Sequence, residues 1–173
     1  MAVIRVLEVG DVPKKYLDVL VQELNKKSRI YRFTLGDKLP LPANAFDKYR
    51  QQYKAEELLK LARDARVLFI TNADIYTENR NFIFGLTKGN GPSVVSFARL
   101  DPTFYGNSVD FATTSERIVK ETIHELGHMM GLPNCENAKC VMALAQHFSD
   151  IDGKARDFCK SCEVRLTAAG VRV

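Results

Sequence analysis

The stretch His124-Glu125-Leu126-Gly127-His128 constrains the fold of this chain more than any other five residues. Two imidazoles four apart in sequence can reach one metal ion when the backbone between them is helical, because a period of 3.6 residues stacks them one turn apart on one face. The preceding segment fits that requirement. Thr113, Thr114 or Ser115 can cap a helix that runs to about Met130; Glu116 sits in its first turn, where the helix dipole favours an acidic side chain, and Glu121 and Glu125 follow along it. Glu125 falls about a quarter-turn round from His124, beside a shared metal rather than on it, within reach of a metal-bound water. Zinc makes such a water acidic enough to ionise near neutral pH, a carboxylate can take its proton, and the product attacks a polarised carbonyl, as in peptide hydrolysis. Three specified residues in a window of five arise from composition alone in roughly one chain in a few hundred of this length, so the context decides. His124 and His128 are two of the three histidines in the chain. Gly131 supplies a helix stop that turns the backbone back toward them; in a plain core helix it would be an ordinary C-cap.

The first half of the chain alternates strand and helix signals. AVIRVLEV (2–9) reads as a buried strand; Pro13 opens a helix that buries Tyr16, Leu17, Leu20, Val21 and Leu24; RIYRFTL (29–35) reads as a second strand; and GDKLPLPAN, broken by Pro40 and Pro42, reads as a loop. A helix is expected over about Ala55–Ala65, and RVLFITNADIY (66–76) is the most strand-like segment of all. This order predicts a largely parallel sheet with right-handed crossovers. Two apolar runs within 82–100 flank Lys88-Gly89-Asn90-Gly91-Pro92 and predict an antiparallel hairpin with one arm at the sheet edge. A final short helix is expected in VRLTAAG (164–170). With 173 residues, no internal repeat and no linker, the expectation is one α/β (α+β) domain over residues 1–173.

Composition excludes more than it specifies. No apolar run approaches the roughly 18 residues of a membrane span, and Arg5 and Glu8 interrupt the only apolar stretch at the N-terminus, so a cytoplasmic protein is expected. The net charge of +4 is small, with 15 Lys/Arg against 11 Asp/Glu over residues 1–87 and ten against ten over 88–173. Nucleic acid is therefore not an expected partner. No feature specifies an oligomeric state.

All four cysteines, Cys135, Cys140, Cys159 and Cys162, lie within 28 residues near the C-terminus. In a reducing compartment such a set reads as metal ligands before disulfides. Four thiolates saturate tetrahedral zinc and leave no open position, so such a site would be structural. Buried free thiols, or a Cys159–Cys162 redox dithiol, are the alternatives.

Taken together, His124-Glu-Leu-Gly-His128-Met-Met-Gly131, then Cys135, four residues, Cys140-Val-Met142, and Cys159-Lys-Ser-Cys162 after sixteen more closely resembles the archaemetzincins. That family carries H-E-x-x-H-x-x-G, C-x4-C-x-M and a later C-x-x-C. The resemblance implies a compact metzincin-like zinc metalloprotease domain: a twisted mixed sheet with an antiparallel edge strand, an active-site helix beneath it and a C-terminal Cys-bound zinc subdomain. It implies two zinc ions, one catalytic on His124 and His128 with Glu125 as general base, and one structural on the four cysteines. Peptide substrates would lie antiparallel to the edge strand, for which the 82–99 hairpin is the candidate. Met142 would be the Met-turn methionine, an apolar floor under the catalytic metal; as an ordinary gap-filling core methionine it would do nearly the same thing.

The departure from the wider pattern is at position 134, where it has histidine and this chain has Asn134. A neutral amide oxygen is a weaker zinc ligand than imidazole. Asn134 can ligate poorly or through water, His147 can take its place, or the site can hold metal weakly. The resulting expectation is a zinc-dependent peptidase, with a weakly active or non-catalytic peptide-binding module as the alternative. Glu125 favours the enzyme, since a pure binding site needs no base beside the metal.

Overall fold

A computed structural model describes residues 1–171. In chain order the elements are β1 (Ala2–Val9), α1 (Lys14–Lys27), β2 (Tyr31–Leu39), β3 (Phe46–Asp47), β4 (Gln52–Lys54), α2 (Ala55–Leu59), β5 (Val67–Thr71), β6 (Ile75–Thr77), β7 (Arg80–Ile83), β8 (Gly85–Thr87), β9 (Ser93–Ser96), α3 (Phe111–Met129), α4 (Phe148–Gly153) and α5 (Lys160–Ala168). The main sheet has the order β2-β1-β5-β9-β8. Its first four strands are parallel, and β8 runs antiparallel to β9 at the edge. A smaller sheet has the order β3-β4-β6-β7. The architecture is mixed α/β, and the antiparallel edge strand lies in the hairpin where the sequence places it.

The main sheet is covered on both faces, which is why β5 is buried at every residue and reads as a continuous apolar run. Ile4, Val6, Leu68, Ile70 and Val95 face one core, packed with Tyr16, Leu17, Leu20 and Leu24 of α1 and with Ile118, Val119, Ile123 and Leu126 of α3. Leu7, Val9, Val67, Phe69 and Val94 face the other, under Leu58 and Leu59 of α2 and Ile75 of the small sheet. Among these, α3 is the central element, buried on most of its circumference.

Several boundaries differ from the sequence reading, each for a local reason. β2 continues through Gly36–Leu39, where a loop is expected, by way of a register shift opposite Val6–Glu8. A side chain at position 36 would collide with Leu7, so glycine lets the strands stay together there. α2 ends at Leu59, not Ala65, because Leu61 and Ala62 close tight turns onto Leu58 and Leu59, and Asp64 then turns the chain by accepting the Arg66 amide. The 66–76 stretch is two strands in two sheets. Thr71 accepts the Ala73 amide, and Arg99 and Gln52 hold Asp74 at 2.8 and 3.0 Å, so the chain bends between β5 and β6. The cap of α3 is Asp110 rather than Thr113, Thr114 or Ser115: its carboxylate accepts the Thr113 amide at 2.9 Å and the Thr113 hydroxyl at 2.7 Å. The last helix begins at Lys160, four residues earlier than expected, which places Cys162 in its first turn.

Candidate active site and zinc centres

The His-Glu-Leu-Gly-His segment forms the last turns of α3, and Gly131 ends it. Gly131 takes φ +89°, and the amides of Met130, Gly131 and Leu132 bond back to carbonyls of residues 126–128. The returning backbone puts the Leu132 carbonyl 2.7 Å from His128 Nδ1. The Val141 carbonyl stands 2.9 Å from His124 Nδ1. A carbonyl can only accept, so both Nδ1 atoms carry their protons, and the two Nε2 atoms face each other 3.0 Å apart. Burial, reinforced by the nearby Lys154 ammonium, holds His124 down at about 3, so its Nε2 presents a lone pair. Two imidazole nitrogens so placed are reconciled by a shared cation. A Nδ1–carbonyl bond that frees Nε2 is the arrangement that orients histidines on zinc.

Glu125 is 3 % exposed. The Thr87 hydroxyl of β8 donates to its Oε2, and Thr87 Oγ1 also lies 2.7 Å from Ser93 Oγ of β9. Gly85 of the same strand makes room for it: a Cβ there would stand 2.5 Å from Glu125 Oε1. Among the protein's own groups, burial first and the neighbouring Glu121 carboxylate second lift the Glu125 carboxyl to about 8, against the Thr87 hydrogen bond and Lys154; a zinc dication held by the histidines would draw it back to the carboxylate that a general base requires. The ligand atoms of Glu121, His124 and Glu125 all lie within 4.8 Å of one another.

Below the helix, Met142 is fully buried. Gly127 lets it in, because a Cβ at 127 would fall on Met142 Sδ and 2.9 Å from its Cε. Glycine inside a helix costs roughly 0.5–1 kcal/mol relative to alanine; here it leaves space for the methionine.

These groups open into a cleft of about 670 Å³. Residues 80–87 of β7 and β8 form one side; residues 131–134 and 144–146 line it as well. Asn134 is exposed and lines this cleft, where the turn at Gly131 is expected to bring it. His147 caps α4 with its ring 5.1 Å from Phe148, exposed. Its neighbours Ala145 and Gln146 line the cleft.

The four cysteines converge, each unpaired by disulfide. Cys135 Sγ lies 3.7 Å from Cys159 Sγ, and Cys140 Sγ lies 3.8 Å from Cys162 Sγ. Four sulfurs about 2.3 Å from one centre at tetrahedral angles are about 3.8 Å apart, whereas a disulfide needs about 2.05 Å. All four sulfurs lie within 4.8 Å of one another. Burial pushes the Cys140 thiol up; the amides of Cys159, at 3.2 Å from its Sγ, and Met142, at 3.4 Å, offset part of that rise. The residues fit a tetrahedral zinc better than a Cys159–Cys162 redox dithiol.

Gly85, Thr87 and Gly127 escape a reading of the sequence alone. An isolated glycine in the apolar run Phe82–Leu86 is a signal of close backbone approach, and a mid-helix glycine a signal of packing. Thr87 carries no such signal.

Comparison with known proteins agrees with this geometry. The chain matches Peptidase family M54 over residues 14–168. The archaemetzincin of Pyrococcus furiosus is 38 % identical over 175 residues, covering 93 % of this chain and 90 % of that one. The crystal structure of archaemetzincin from Archaeoglobus fulgidus, complexed with malonate, superposes with a TM-score of 0.83 at 28 % identity, covering 93 % of this chain and 98 % of that one. A zinc-dependent peptidase from Methanocorpusculum labreanum gives 0.84 at 29 % identity, with 94 % and 99 % covered. The chain belongs to peptidase family M54, the archaemetzincins, and is a zinc metallopeptidase.

Proposed function

We propose that the cleft over α3 hydrolyses peptide bonds with Glu125 as general base and with His124 and His128 as ligands of a catalytic zinc. The 3.0 Å approach of the two Nε2 atoms, each imidazole locked by a carbonyl on its other nitrogen, carries this reading. Zinc, when bound, polarises the scissile carbonyl and acidifies water. The protein's own groups do the rest. Val141 and Leu132 fix the tautomers and tilts of the two imidazoles. Thr87 and the space at Gly85 hold the Glu125 carboxylate at the cleft wall, in position to take a proton from the attacking water and return it to the leaving amine. The same strand, β8, is the free edge of the main sheet and lines the cleft with Glu125 and the histidines, so an extended peptide pairing antiparallel to it would lie along that cleft.

Asn134 takes the third ligand position in this reading, and its amide oxygen leaves the catalytic zinc weakly held. Cys135, Cys140, Cys159 and Cys162 hold a structural zinc that ties the end of α3 to α5. Met142 acts as the Met-turn floor of a metzincin site. Residues 1–173 act as one domain, the last two lying outside the described residues. No helix among the described residues is long and apolar enough to cross a membrane, and the cytoplasm is the proposed location.

Glu125→Gln tests the central role. It keeps size and hydrogen-bonding shape but removes proton acceptance. Zinc content should be unchanged and kcat/KM on a peptide substrate should fall by about 10²–10⁴. Full activity in the variant would remove Glu125 from the mechanism.

A further inference from the structure

Lys154 makes no hydrogen bond to the histidines or to Glu125, yet its side chain is almost fully buried, with 1 % of its surface accessible. Lysine is almost never fully buried unless paired, because desolvating an ammonium is costly. Its Nζ donates to the Ala143 carbonyl at 3.0 Å and stands 4.0 Å from Glu121 Oε2, an oxygen that is itself buried and without a hydrogen bond. Glu121 lies on α3, one turn before His124 and Glu125. Ala143 ends a run of three residues, each tied to the site. The Val141 carbonyl holds His124 Nδ1, Met142 fills the space at Gly127, and Ala143 receives Lys154. Lys154 is itself framed from behind. The Ala155 amide donates to the Lys139 carbonyl at 2.9 Å, the Val141 amide to the Asp157 carbonyl at 3.1 Å, and Lys139 Nζ to the Gly153 carbonyl at 3.1 Å.

We propose that Lys154 is a positioning residue for the histidine site: by bridging the Ala143 carbonyl to Glu121 it fixes the 141–143 turn against α3, and so fixes the carbonyl that orients His124. The hydrogen bond sets the turn's distance from the lysine, and attraction to Glu121 sets the lysine's distance from the helix. With either end released, the turn can shift relative to α3, and the His124 ring tilts with the Val141 carbonyl. This inference rests on reading His124 as a zinc ligand.

A purely charge-balancing lysine would behave differently, and two variants separate the cases. Lys154→Met alone leaves a buried Glu121 without its cation and should lower the melting temperature sharply, since removing one partner of a buried pair is the damaging change. Lys154→Met with Glu121→Gln removes both charges at similar volume and should melt near wild type, but it leaves the Ala143 carbonyl without its donor. Zinc affinity is read at both sites by competition with a graded chelator, with solvent exchange of the His124 Nδ1 proton followed by NMR. In the double variant we expect zinc at the histidine site to weaken about 10–100-fold, the range for lost partners of metal-bound histidines, with kcat lowered more than KM raised. The Nδ1 proton should exchange faster, and the cysteine site should be unchanged. Wild-type affinity at the histidine site in the folded double variant would overturn the proposal. If the double variant does not fold, Glu121→Gln alone decides through the His124 Nδ1 proton, because zinc affinity there also feels the lost carboxylate charge; wild-type exchange of that proton overturns the proposal equally. Wild-type protein that binds only one zinc even at saturating zinc would instead refute the ligand assignment on which the inference rests.

Discussion

The cysteine cluster and the histidine cleft share one short stretch of chain, residues 131–146, and they are built on opposite plans. At the cysteine cluster all donors come from side chains of one type, two of them buried, and the sulfurs approach one another to 3.7–3.8 Å. Nothing is left for a substrate. At the cleft, two donors converge from one helix, each held on its far side by a backbone carbonyl, with a buried carboxylate beside them and an opening of about 670 Å³ in front. A closed tetrahedral set binds tightly and does no chemistry, whereas an open set gives up affinity for an accessible position. The proposed Asn134 ligand widens that difference, since it weakens the open site and leaves the closed one untouched.

The largest test of the contrast is a pair of substitutions. Cys159→Ser removes one of four ligands from a site whose metal binding is coupled to folding, with apparent energies of roughly 10–16 kcal/mol in small zinc domains. It should cost several kcal/mol by chemical denaturation, about 3 kcal/mol or more. His128→Ala should leave the denaturation midpoint nearly unchanged and abolish activity. The reverse pattern would exchange the two roles.

A smaller effect is expected at the cleft wall. Gly85→Ala drives a methyl group to within 2.5 Å of Glu125 Oε1, so the carboxylate or β8 must move. A misplacement of about 1 Å can cost about 10²-fold in rate, and kcat should fall by about 10–100-fold at unchanged zinc content. Activity equal to wild type would mean that Glu125 is not held where the hydrogen bond to Thr87 places it. Gly127→Ala probes the floor beneath. Forcing a methyl group onto Met142 should cost about 1–3 kcal/mol of packing against a helix-propensity gain of about 0.5–1 kcal/mol. A net loss of stability in thermal melts is expected, relieved by Met142→Ala in the same chain. A stabilised Gly127→Ala variant would show that the contact with Met142 is loose.

Smallest of these is Asn134→His, which adds an imidazole where the wider pattern has one. Zinc at the histidine site should tighten by about 10-fold or more, with no change at the cysteines. Equal affinities in chelator competition would mean that residue 134 does not reach the metal.

How far these features can be read from the sequence depends on whether they are local. The pairing of His124 with His128 follows from helical period alone, and the stop at Gly131 from its freedom at positive φ. The hairpin carrying β8 is legible from its turn, and β1 and α1 from their apolar patterns. What the sequence does not display is contact between distant segments. Thr87 reaches Glu125 across 38 residues, Met142 fits Gly127 across 15, and Lys154 meets Glu121 across 33. The misplaced boundaries have the same origin. Asp110 caps α3 where three hydroxyl residues just downstream look equally able, and 66–76 divides between two sheets because Asp74 is held by Gln52 and Arg99. α4 leaves little trace, being six residues long with one buried side chain.

The contrast between an open and a closed zinc site is tested most directly by withdrawing metal from the wild-type protein with a graded chelator while zinc release, peptidase activity and circular dichroism are followed together. Two separate steps are predicted. The first zinc leaves with activity lost and the fold unchanged, and the second leaves only at much higher chelator concentration, with loss of the fold. A single step, or a fold lost with the first zinc, would contradict the assignment of a weak catalytic site at the histidines and a tight structural site at the cysteines.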